Sequence, residues 1–340
     1  MRIILLGTGP FAVPTCQRIL DDGHDVPLVV TRPLPDPKPK KLPPRPVHQW
    51  ATEKQLPIFE PHSINDSSAI QHLHHLRPDL LFVCDYGQIL SRECLATAHL
   101  GGINLHGSIL PRHRGAAPVQ WALLRGDQVA GITVIHMTPK LDAGPALAVR
   151  RDEIQTDDTA ESLEPRLAAL GPEAVATAID LLSKWDGNSD IGILQDRKLV
   201  TKAPRFQKAD GQLDCRLPAE YLVRLVKACQ PWPSTFAQLS WANGKSLRVQ
   251  VRAARSIAEI PGLAAAQVGA AAEVGPAMFA ADWLAPWDKL LAIKCSPGFL
   301  LIGRIQPDGR RVMDAGEFLR GHDVQGAAFE CPVTPIAPLD

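Results

Sequence analysis

Short apolar runs alternate with segments of helical spacing through the first half of the chain, and this alternation limits the fold more than any other feature. Residues 2–6 form an isoleucine and leucine run that ends in the glycine-rich segment 7–10, and residues 11–20 then carry apolar side chains at helical spacing. Leu80–Cys84 and Gly102–His106 are further strand candidates, and the first is apolar enough to be covered on both faces. We therefore predict the α/β class, a doubly wound Rossmann-like sheet with ligand chemistry at the carboxyl ends of its strands.

The other elements of this region follow from the same patterns. They are strands at Val26–Val30, 130–137 and 145–150, a helix at Val47–Lys54, and helices at Thr159–Leu170 and Pro172–Leu182. Gly171 and Pro172 are expected to separate the last two helices, because a proline suits the first turn of a new helix.

The length of the chain and a change of pattern near residue 186 indicate two domains. At 340 residues the chain exceeds the ~100–200 residues of a usual single domain. We predict a catalytic domain over 1–185, a linker over 186–209, a small OB-like β-barrel over 210–330 and a tail over 331–340. The barrel is predicted from a helix at Pro218–Cys229 and short strands near 235–240, 246–253, 290–294, 299–305 and 311–313. The alanine-rich residues 261–281 are interpreted as an inserted loop.

Composition and charge exclude several classes of function. The formal net charge is zero, so the chain lacks the overall basic field of a protein that binds nucleic acid non-specifically. Its seven cysteines include no C-x-x-C pair, so we expect no bound metal, no disulfide framework and a reduced, cytoplasmic protein. The apolar N-terminal run is far shorter than the ~20 residues of a membrane span, and no membrane partner is expected.

Segment 101–118 carries the residues best suited to chemistry. Successive side chains on a strand alternate faces, so Asn104 and His106 point to the same side. Such a pair suits attack on an amide-like carbonyl, because a carboxamide N–H stabilises an oxyanion and an imidazole donates or accepts a proton. An Asn-x-His triplet alone is more often structural, but the loop 108–118 holds more prolines, glycines and basic residues than a simple connection needs.

A carboxylate follows in the next tight turn. Residues 140–144 place Asp142 between two predicted strands. One interpretation is a turn-forming aspartate, which is common. The other is a carboxylate that orients His106 or relays its proton.

These residues belong to a longer string that resembles the methionyl-tRNA formyltransferases, a family of folate-dependent enzymes. The matching residues are Asn104–Pro118, Gly126-Asp127, Gly131–Thr133, Met137, Leu141-Asp142 and Gly144, with further matches at Asp85–Leu90, Lys208–Asp214, Pro231–Pro233 and Gly316–Gly321. The resemblance covers nearly the whole chain, and its motifs are more specific for folate-dependent formyl transfer than for the transfer-RNA member.

The resemblance implies a reaction and the residues that perform it. The α-amine of an aminoacyl end attacks the formyl carbon of 10-formyltetrahydrofolate, the co-substrate, with Asn104, His106 and Asp142 as the catalytic trio. The residues implied at or near the tetrahydrofolate pocket are Ser108, Ile109, Leu110, Pro111, Tyr86 and Gly87. Since a free α-amine titrates near ~7.7–8.0, orientation and oxyanion stabilisation are expected to dominate over base strength.

The resemblance also implies a macromolecular partner, the initiator methionyl-tRNA. In the family, the loop equivalent to Arg32–Arg45 inserts against the acceptor stem, and here it carries Lys38, Lys40 and Lys41. Composition alone favours a solvated, proline-stiffened connection for this loop. A basic excess at the start of the second domain also suits phosphate contacts. We expect the protein to act as a monomer.

Three residues depart from the family pattern. Lys140 and Ala143 replace a glycine and a threonine of the turn around Asp142, and Cys215 replaces a tryptophan after the linker. None of them belongs to the trio, so they bear on substrate detail and on the shape of the turn.

Other functions remain open from the sequence. Gly7-x-Gly9-x-x-Ala12 also matches the dinucleotide fingerprint of an NADP-dependent oxidoreductase, but no acidic residue follows the second strand and Pro10 removes an amide that a pyrophosphate would use. A formyltransferase acting on an amino-sugar nucleotide and a formyltetrahydrofolate hydrolase share the chemistry with a different acceptor. A non-catalytic RNA-binding protein is a further class.

Overall fold

The computed structural model of the chain describes all residues except 35–42, 276–277, 280–286, 337 and 340. Its contacts divide the chain into two compact units. Unit 1 comprises Met1–Ala122, Gln128–Gln155 and Ser162–Arg205, and unit 2 comprises Leu123–Asp127, Thr156–Glu161 and Phe206–Asp340. Residues 186–205 of the predicted linker therefore pack with unit 1. None of the helices in the described ranges is long and apolar enough to cross a membrane.

Unit 1 is built on one mixed sheet. Its strands are β1 (Ile3–Gly7), β2 (Val29–Val30), β3 (Ile58–Phe59), β4 (Leu80–Cys84), β5 (Gly102–His106), β6 (Val129–His136) and β7 (Ala146–Glu153). Their order across the sheet is β3-β2-β1-β4-β5-β6-β7. The first five are parallel, and β6 and β7 join antiparallel at one edge. The predicted Rossmann-like α/β class is confirmed.

The strands at the centre of the sheet are apolar because both faces are covered. Every residue of β1 and β4 is buried. The helices are α1 (Val13–Asp21), which follows a 3₁₀ turn at Pro10–Ala12, α2 (Pro46–Glu53), α3 (Ser67–His75), α4 (Arg92–Leu95), α5 (Pro118–Arg125) and α6 (Ala160–Ser183). One core cluster joins Ile4, Leu6, Leu81 and Val83 to Leu73 of α3. Cover on both faces explains why these strands are continuous apolar runs.

The strand order reverses between β1 and β4. From β1 the chain proceeds outward to β2 and β3, and it then returns to add β4 and β5 on the other side of β1. In open α/β sheets, ligands bind in the crevice outside the carboxyl ends of the strands at such a reversal. Gly7 ends β1 beside Cys84, which ends β4, and Asp85 is the first residue beyond the sheet.

The prediction of two helices across Gly171-Pro172 is wrong. The structure has one continuous helix, α6, which contains both Pro165 and Pro172. Gly171 is required for packing rather than for a helix end. A Cβ on Gly171 would lie 2.4 Å from Thr15 Oγ1 and 2.7 Å from Leu105 Cδ2, so only glycine lets α6 approach α1 and β5 this closely.

Unit 2 contains the antiparallel barrel that the strand spacing predicted. Its strands are β8 (Thr235–Trp241), β9 (Ser246–Ile257), β10 (Ala271–Val274), β11 (Leu290–Lys294), β12 (Phe299–Pro307), β13 (Met313–Asp314) and β14 (Ala327–Phe329), and its helices are α7 (Ala219–Ala228) and α8 (Ala315–Gly321). The order is β10-β11-β12-β9-β8-β14, with β13 on β12. A bridge between Ala270 and Ala328 and a hydrogen bond of 2.8 Å from Phe329 N to Gly269 O nearly close the barrel.

In unit 2, one prediction from the sequence is wrong, and the structure shows the surroundings of one residue that departs from the family pattern. The interpretation of 261–281 as a loop is wrong for Ala271–Val274, which form β10 and pair antiparallel with β11. At the family tryptophan position, Cys215 is buried beside the thiol of Cys295. A small side chain therefore fills the place of a large aromatic one, and a second cysteine packs against it.

Candidate active site

A cavity of about 400 Å³ opens at the carboxyl ends of β4 and β5 and is also lined by Phe11, which follows β1. Its wall consists of the segment after β4, the end of β5, residues of the segment 115–120, the turn between β6 and β7, and single residues from other elements. The volume lies within the usual range of small-molecule sites, ~300–1,000 Å³. The strand-order reversal described above lies at its base, so the topology and the cavity indicate the same place.

Asn104 and His106 stand on this wall, two residues apart on β5. The strand is held on both sides, by parallel pairing of Val83 with Asn104 and antiparallel pairing of His106 with Thr133. Among the described residues the Asn104 carboxamide has no hydrogen-bond partner, although it lines the cavity. Its two N–H donors are therefore directed to a ligand or to water.

His106 has one ring nitrogen committed and one available. Its Nε2 lies 2.9 Å from the carbonyl oxygen of His113. A carbonyl only accepts, so Nε2 carries the proton in the neutral ring. Nδ1 faces Asp142 Oδ1 at 3.8 Å, and both side chains are buried, at 6% and 8% exposure. Nδ1 is therefore the ring nitrogen that is free to exchange a proton, and it lies beside the Asp142 carboxyl group.

Asp142 is held from several sides by backbone and side-chain groups. Gly115 N donates to Asp142 Oδ2 at 2.8 Å. The Asp142 backbone has a φ of +49°, which aspartate tolerates better than most residues. Gln195 Nε2 donates to the carbonyl oxygens of Asp142, at 2.9 Å, and Gly144, at 2.7 Å. The Asp142 carboxylate is thus fixed in position by contacts that involve both its side chain and its turn.

The loop that supplies Gly115 is itself anchored. Arg114 pairs through its backbone with Thr201 and Ala203, at 2.9 Å and 2.7 Å, and its guanidinium donates to Gln195 Oε1 at 2.6 Å. Gly115 has a φ of +134°, and a Cβ there would lie 2.4 Å from Ala203 O. Only glycine permits this approach, so segment 195–203 and the loop after β5 form one support for Asp142.

Comparison with known proteins decides the family. The formyl transferase profile matches residues 1–179, more than half of the chain, and the profile of the formyl transferase C-terminal domain matches residues 205–323. The chain belongs to the formyl transferase family.

Individual members of this family match over almost the full length. Methionyl-tRNA formyltransferase of Rhodopirellula baltica is 43% identical over 331 residues, which cover 95% of this chain and 94% of that protein. The enzyme of the same name from Methylococcus capsulatus is 37% identical over 327 residues, covering 96% and 98%. WlaRD, a sugar 3N-formyl transferase solved in the presence of dTDP and 5-N-formyl-THF, shares the fold with a TM-score of 0.61, 15% identity and coverage of 92% and 99%. The resemblance predicted from the sequence is confirmed.

In this formyl transferase the predicted folate residues fall into two groups. Tyr86 and Gly87 line the cavity, together with the rest of the segment up to Leu90. The Tyr86 ring is buried in the core, where burial raises the pKa of its hydroxyl. Its oxygen has no hydrogen-bond partner among the described residues.

The second group, Ser108–Pro111, has a structural environment of its own and is not part of the described cavity wall. Ser108 is buried, and its Oγ donates to Arg112 O at 2.7 Å. Thr133 Oγ1 donates to Ser108 O and accepts from Leu110 N, at 2.7 Å and 3.1 Å. These contacts tie the segment to β6. Its role toward folate stays a prediction.

The predicted transfer-RNA contacts Lys38, Lys40 and Lys41 lie outside the described residues. Their role also stays a prediction.

Lys140 was noted from the sequence as a departure from the family pattern, but sequence reasoning missed three other charged residues of the cavity wall outside the trio. They are Asp85, directly after β4, Glu164 on α6, and Arg205. The crowding of protein atoms around its carboxylate raises the pKa of Asp85 to about 6, and Arg205 acts in the opposite direction. Burial, and next the charge of Asp85, raise the pKa of Glu164. The position of Asp85 directly after a fully buried strand was the available signal, because that place lies at the ligand-binding edge of the sheet.

Proposed function

We propose that this chain transfers the formyl group of 10-formyltetrahydrofolate to the α-amino group of initiator methionyl-tRNA, in the cytoplasm. The observation that carries the proposal is the meeting of Asn104, His106 and Asp142 in one cavity of a formyl transferase chain. The acceptor follows from the relatives, since those of 43% and 37% identity over nearly the whole length are methionyl-tRNA formyltransferases.

The first chemical step is attack of the neutral amine on the formyl carbon. As the carbonyl becomes tetrahedral, negative charge develops on its oxygen. The Asn104 carboxamide, held by strand pairing on both sides and without a described hydrogen-bond partner, supplies N–H donors to that oxygen. Stabilisation is large because the donors are fixed before the charge appears, in a site partly withdrawn from water.

The second step moves a proton from the attacking nitrogen to the departing folate nitrogen. His106 is suited to this because Nδ1 is the ring nitrogen not bonded to a backbone carbonyl. Asp142 stabilises the imidazolium that forms, and its own position is fixed by Gly115 N. The 3.8 Å separation of Nδ1 and Oδ1 is wider than a hydrogen bond, so a water or a small closure completes the relay.

Unit 2 offers chemistry suited to a nucleic-acid partner. Basic groups lie over aromatic rings at several places on the barrel, with Lys245 Nζ 5.1 Å from the Trp241 ring centroid and the Arg248 guanidinium carbon 4.2 Å from that of Phe236. Aromatic faces bind bases, and cations bind phosphates. Such pairs are suited to a transfer-RNA substrate, although the formal charge of the whole chain is zero.

The test is an assay of formyl transfer from 10-formyltetrahydrofolate with three acceptors: charged initiator transfer RNA, free methionine and a dTDP-linked amino sugar. We expect formylation of the charged transfer RNA alone. Formylation of the amino sugar in preference to the transfer RNA would overturn the acceptor assignment. Release of formate without any formylated acceptor would indicate the hydrolase instead.

A further inference from the structure

Besides Lys140, three charged side chains of the cavity wall lie outside the catalytic trio. Asp85, Glu164 and Arg205 all line the cavity, and within the described ranges none of the three has a hydrogen bond or an ion pair. Charged groups that lie in a cavity without partners keep their full capacity for a ligand. Asp142, by contrast, is held by hydrogen bonds, so the three unbonded side chains require a separate explanation.

The Asp85 carboxylate has a defined position against the backbone of Gly9. A Cβ on Gly9 would lie 1.7 Å from Asp85 Oδ2, so the carboxylate rests directly on the backbone of Gly9. Any larger residue at position 9 would displace it. Asp85 itself has a φ of +54°, a conformation that few residue types accept. Both features lie where the strand order reverses between β1 and β4, the place at which sheets of this type bind ligands.

The charged groups around the Asp85 carboxylate are suited to binding a single cation. Glu164 and Asp85 are close enough that the charge of Asp85 raises the pKa of Glu164, and Arg205 lowers the pKa of Asp85. Cys84 also faces this pair, but burial raises the pKa of its thiol far enough to keep it neutral. Two carboxylates and one guanidinium leave one net negative charge, which a monovalent cation neutralises.

The reaction supplies one cation of this kind, if the proposed function holds. An α-amine titrates near ~7.7–8.0, so near neutral pH most of it is an ammonium group. We propose that Asp85 and Glu164 form the subsite that binds the α-ammonium group of the acceptor, and that Asp85 removes its proton before attack. This deepens the proposed function and rests on it.

The proton balance is simple. The ammonium and the Asp85 carboxylate become a neutral amine and a carboxylic acid. The amine nitrogen then bonds to the formyl carbon, and the bond from that carbon to the folate nitrogen breaks. The second proton of the amine moves through His106 to the folate nitrogen, and Asp85 later returns its own proton to water. Because the pKa of Asp85 is raised, transfer of the ammonium proton to it is less unfavourable than transfer to a carboxyl group of ordinary pKa.

The alternative ligand for these carboxylates is the folate ring itself. A pterin ring is neutral, and one carboxylate satisfies its adjacent N–H donors. A second carboxylate beside the first adds repulsion that a neutral ring does not relieve. Asp85 and Glu164 together therefore favour the cationic acceptor over the pterin ring. The following experiment distinguishes these two ligands.

The experiment compares Asp85→Asn and Glu164→Gln with the wild-type protein, and uses Asp180→Asn, an exposed change on α6 outside the cavity, as control. Asparagine accepts positive φ as aspartate does, so the side chain at position 85 keeps its place against Gly9. For Asp85→Asn we expect KM for methionyl-tRNA to rise about tenfold, as for loss of a charged hydrogen bond, with KM for the folate unchanged. Its loss in kcat should shrink as the pH rises above the amine pKa. Glu164→Gln should raise KM for methionyl-tRNA with a smaller effect on kcat.

A second measurement separates charge from shape. Transfer RNA carrying the α-hydroxy analogue of methionine has no ammonium group and serves as a competitive inhibitor. Its inhibition constant should be the same for Asp85→Asn and the wild type. An equal weakening of this analogue, a raised folate KM, or an unchanged methionyl-tRNA KM would refute the subsite while leaving the proposed function standing. A wild-type protein that does not formylate methionyl-tRNA would refute the function itself.

Discussion

Two carboxylates of one cavity differ in how the surrounding structure holds them. Asp142 is 8% exposed, accepts a hydrogen bond from Gly115 N, and lies in a turn whose carbonyls are bound by Gln195. Asp85 is exposed to the cavity and bonds to none of the described residues. A group that must orient a neighbouring imidazole gains from being fixed, because misplacement by ~1 Å can cost ~100-fold in rate. A group that must bind an incoming charge gains from being left without a partner.

The largest effects are expected at the fixed side of this comparison. His106→Ala removes the proton carrier, and kcat should fall ~10²–10⁴-fold. Asn104→Ala removes the oxyanion donor and should cost ~10²–10³-fold in kcat. Single-turnover formyl transfer with saturating methionyl-tRNA measures both, and the thermal midpoint shows whether the fold is intact. A loss confined to KM would mean that these residues bind substrate without taking part in the reaction.

Asn104, His106 and Asp142 line one cavity, and they could be singled out from the sequence because they lie on local signals and within the motif that resembles the family; their catalytic role stays a prediction. Asn104 and His106 are two residues apart on a strand, and Asp142 lies in a recognisable turn between strands. The sheet was predictable for the same reason, since β1 and β4 are continuous apolar runs. Those elements carry their information within a few residues.

The support of the trio was not predictable because it is non-local. Gln195 lies 53 residues from Asp142 along the chain, in a segment with no periodicity, and nothing in its neighbourhood marks its two donors. Gly171 shows the same limit in the fold. Its glycine signals a helix end locally, whereas contacts with Thr15 and Leu105 require it inside a continuous helix.

An intermediate effect is expected from loosening the fixed carboxylate without touching it. Gln195→Glu keeps an acceptor for Arg114 but replaces the two N–H donations to Asp142 O and Gly144 O by a repulsive carboxylate. We expect kcat to fall about tenfold, in line with the loss of two hydrogen bonds, with little change in either KM. Gln71→Glu, the same change at an exposed position of α3, is the matched control. Wild-type kcat in Gln195→Glu would show that Gly115 alone is sufficient to hold Asp142.

The smallest effect is a gain of stability from removing the free carboxylate. Crowding raises the pKa of Asp85 from its ordinary 3.8 to about 6 in the folded protein. Between these values the folded state binds a proton that the unfolded chain has released, so raising the pH through this window weakens the fold, and the penalty is complete above it. Asp85→Asn abolishes the penalty, and the water of the cavity keeps the gain small.

Thermal unfolding of Asp85→Asn and the wild type at about pH 8 and about pH 4 measures this difference. The variant should unfold at a higher temperature at the upper pH, and the two proteins should coincide at the lower one, where Asp85 is protonated in the folded state. Asp142→Asn should instead lower the midpoint at about pH 8, because the amide accepts the Gly115 hydrogen bond less strongly than the carboxylate does. A lower midpoint for Asp85→Asn at the upper pH would mean that Asp85 also stabilises the fold. The distinction between a carboxylate fixed by the structure and one left for a ligand would then fail.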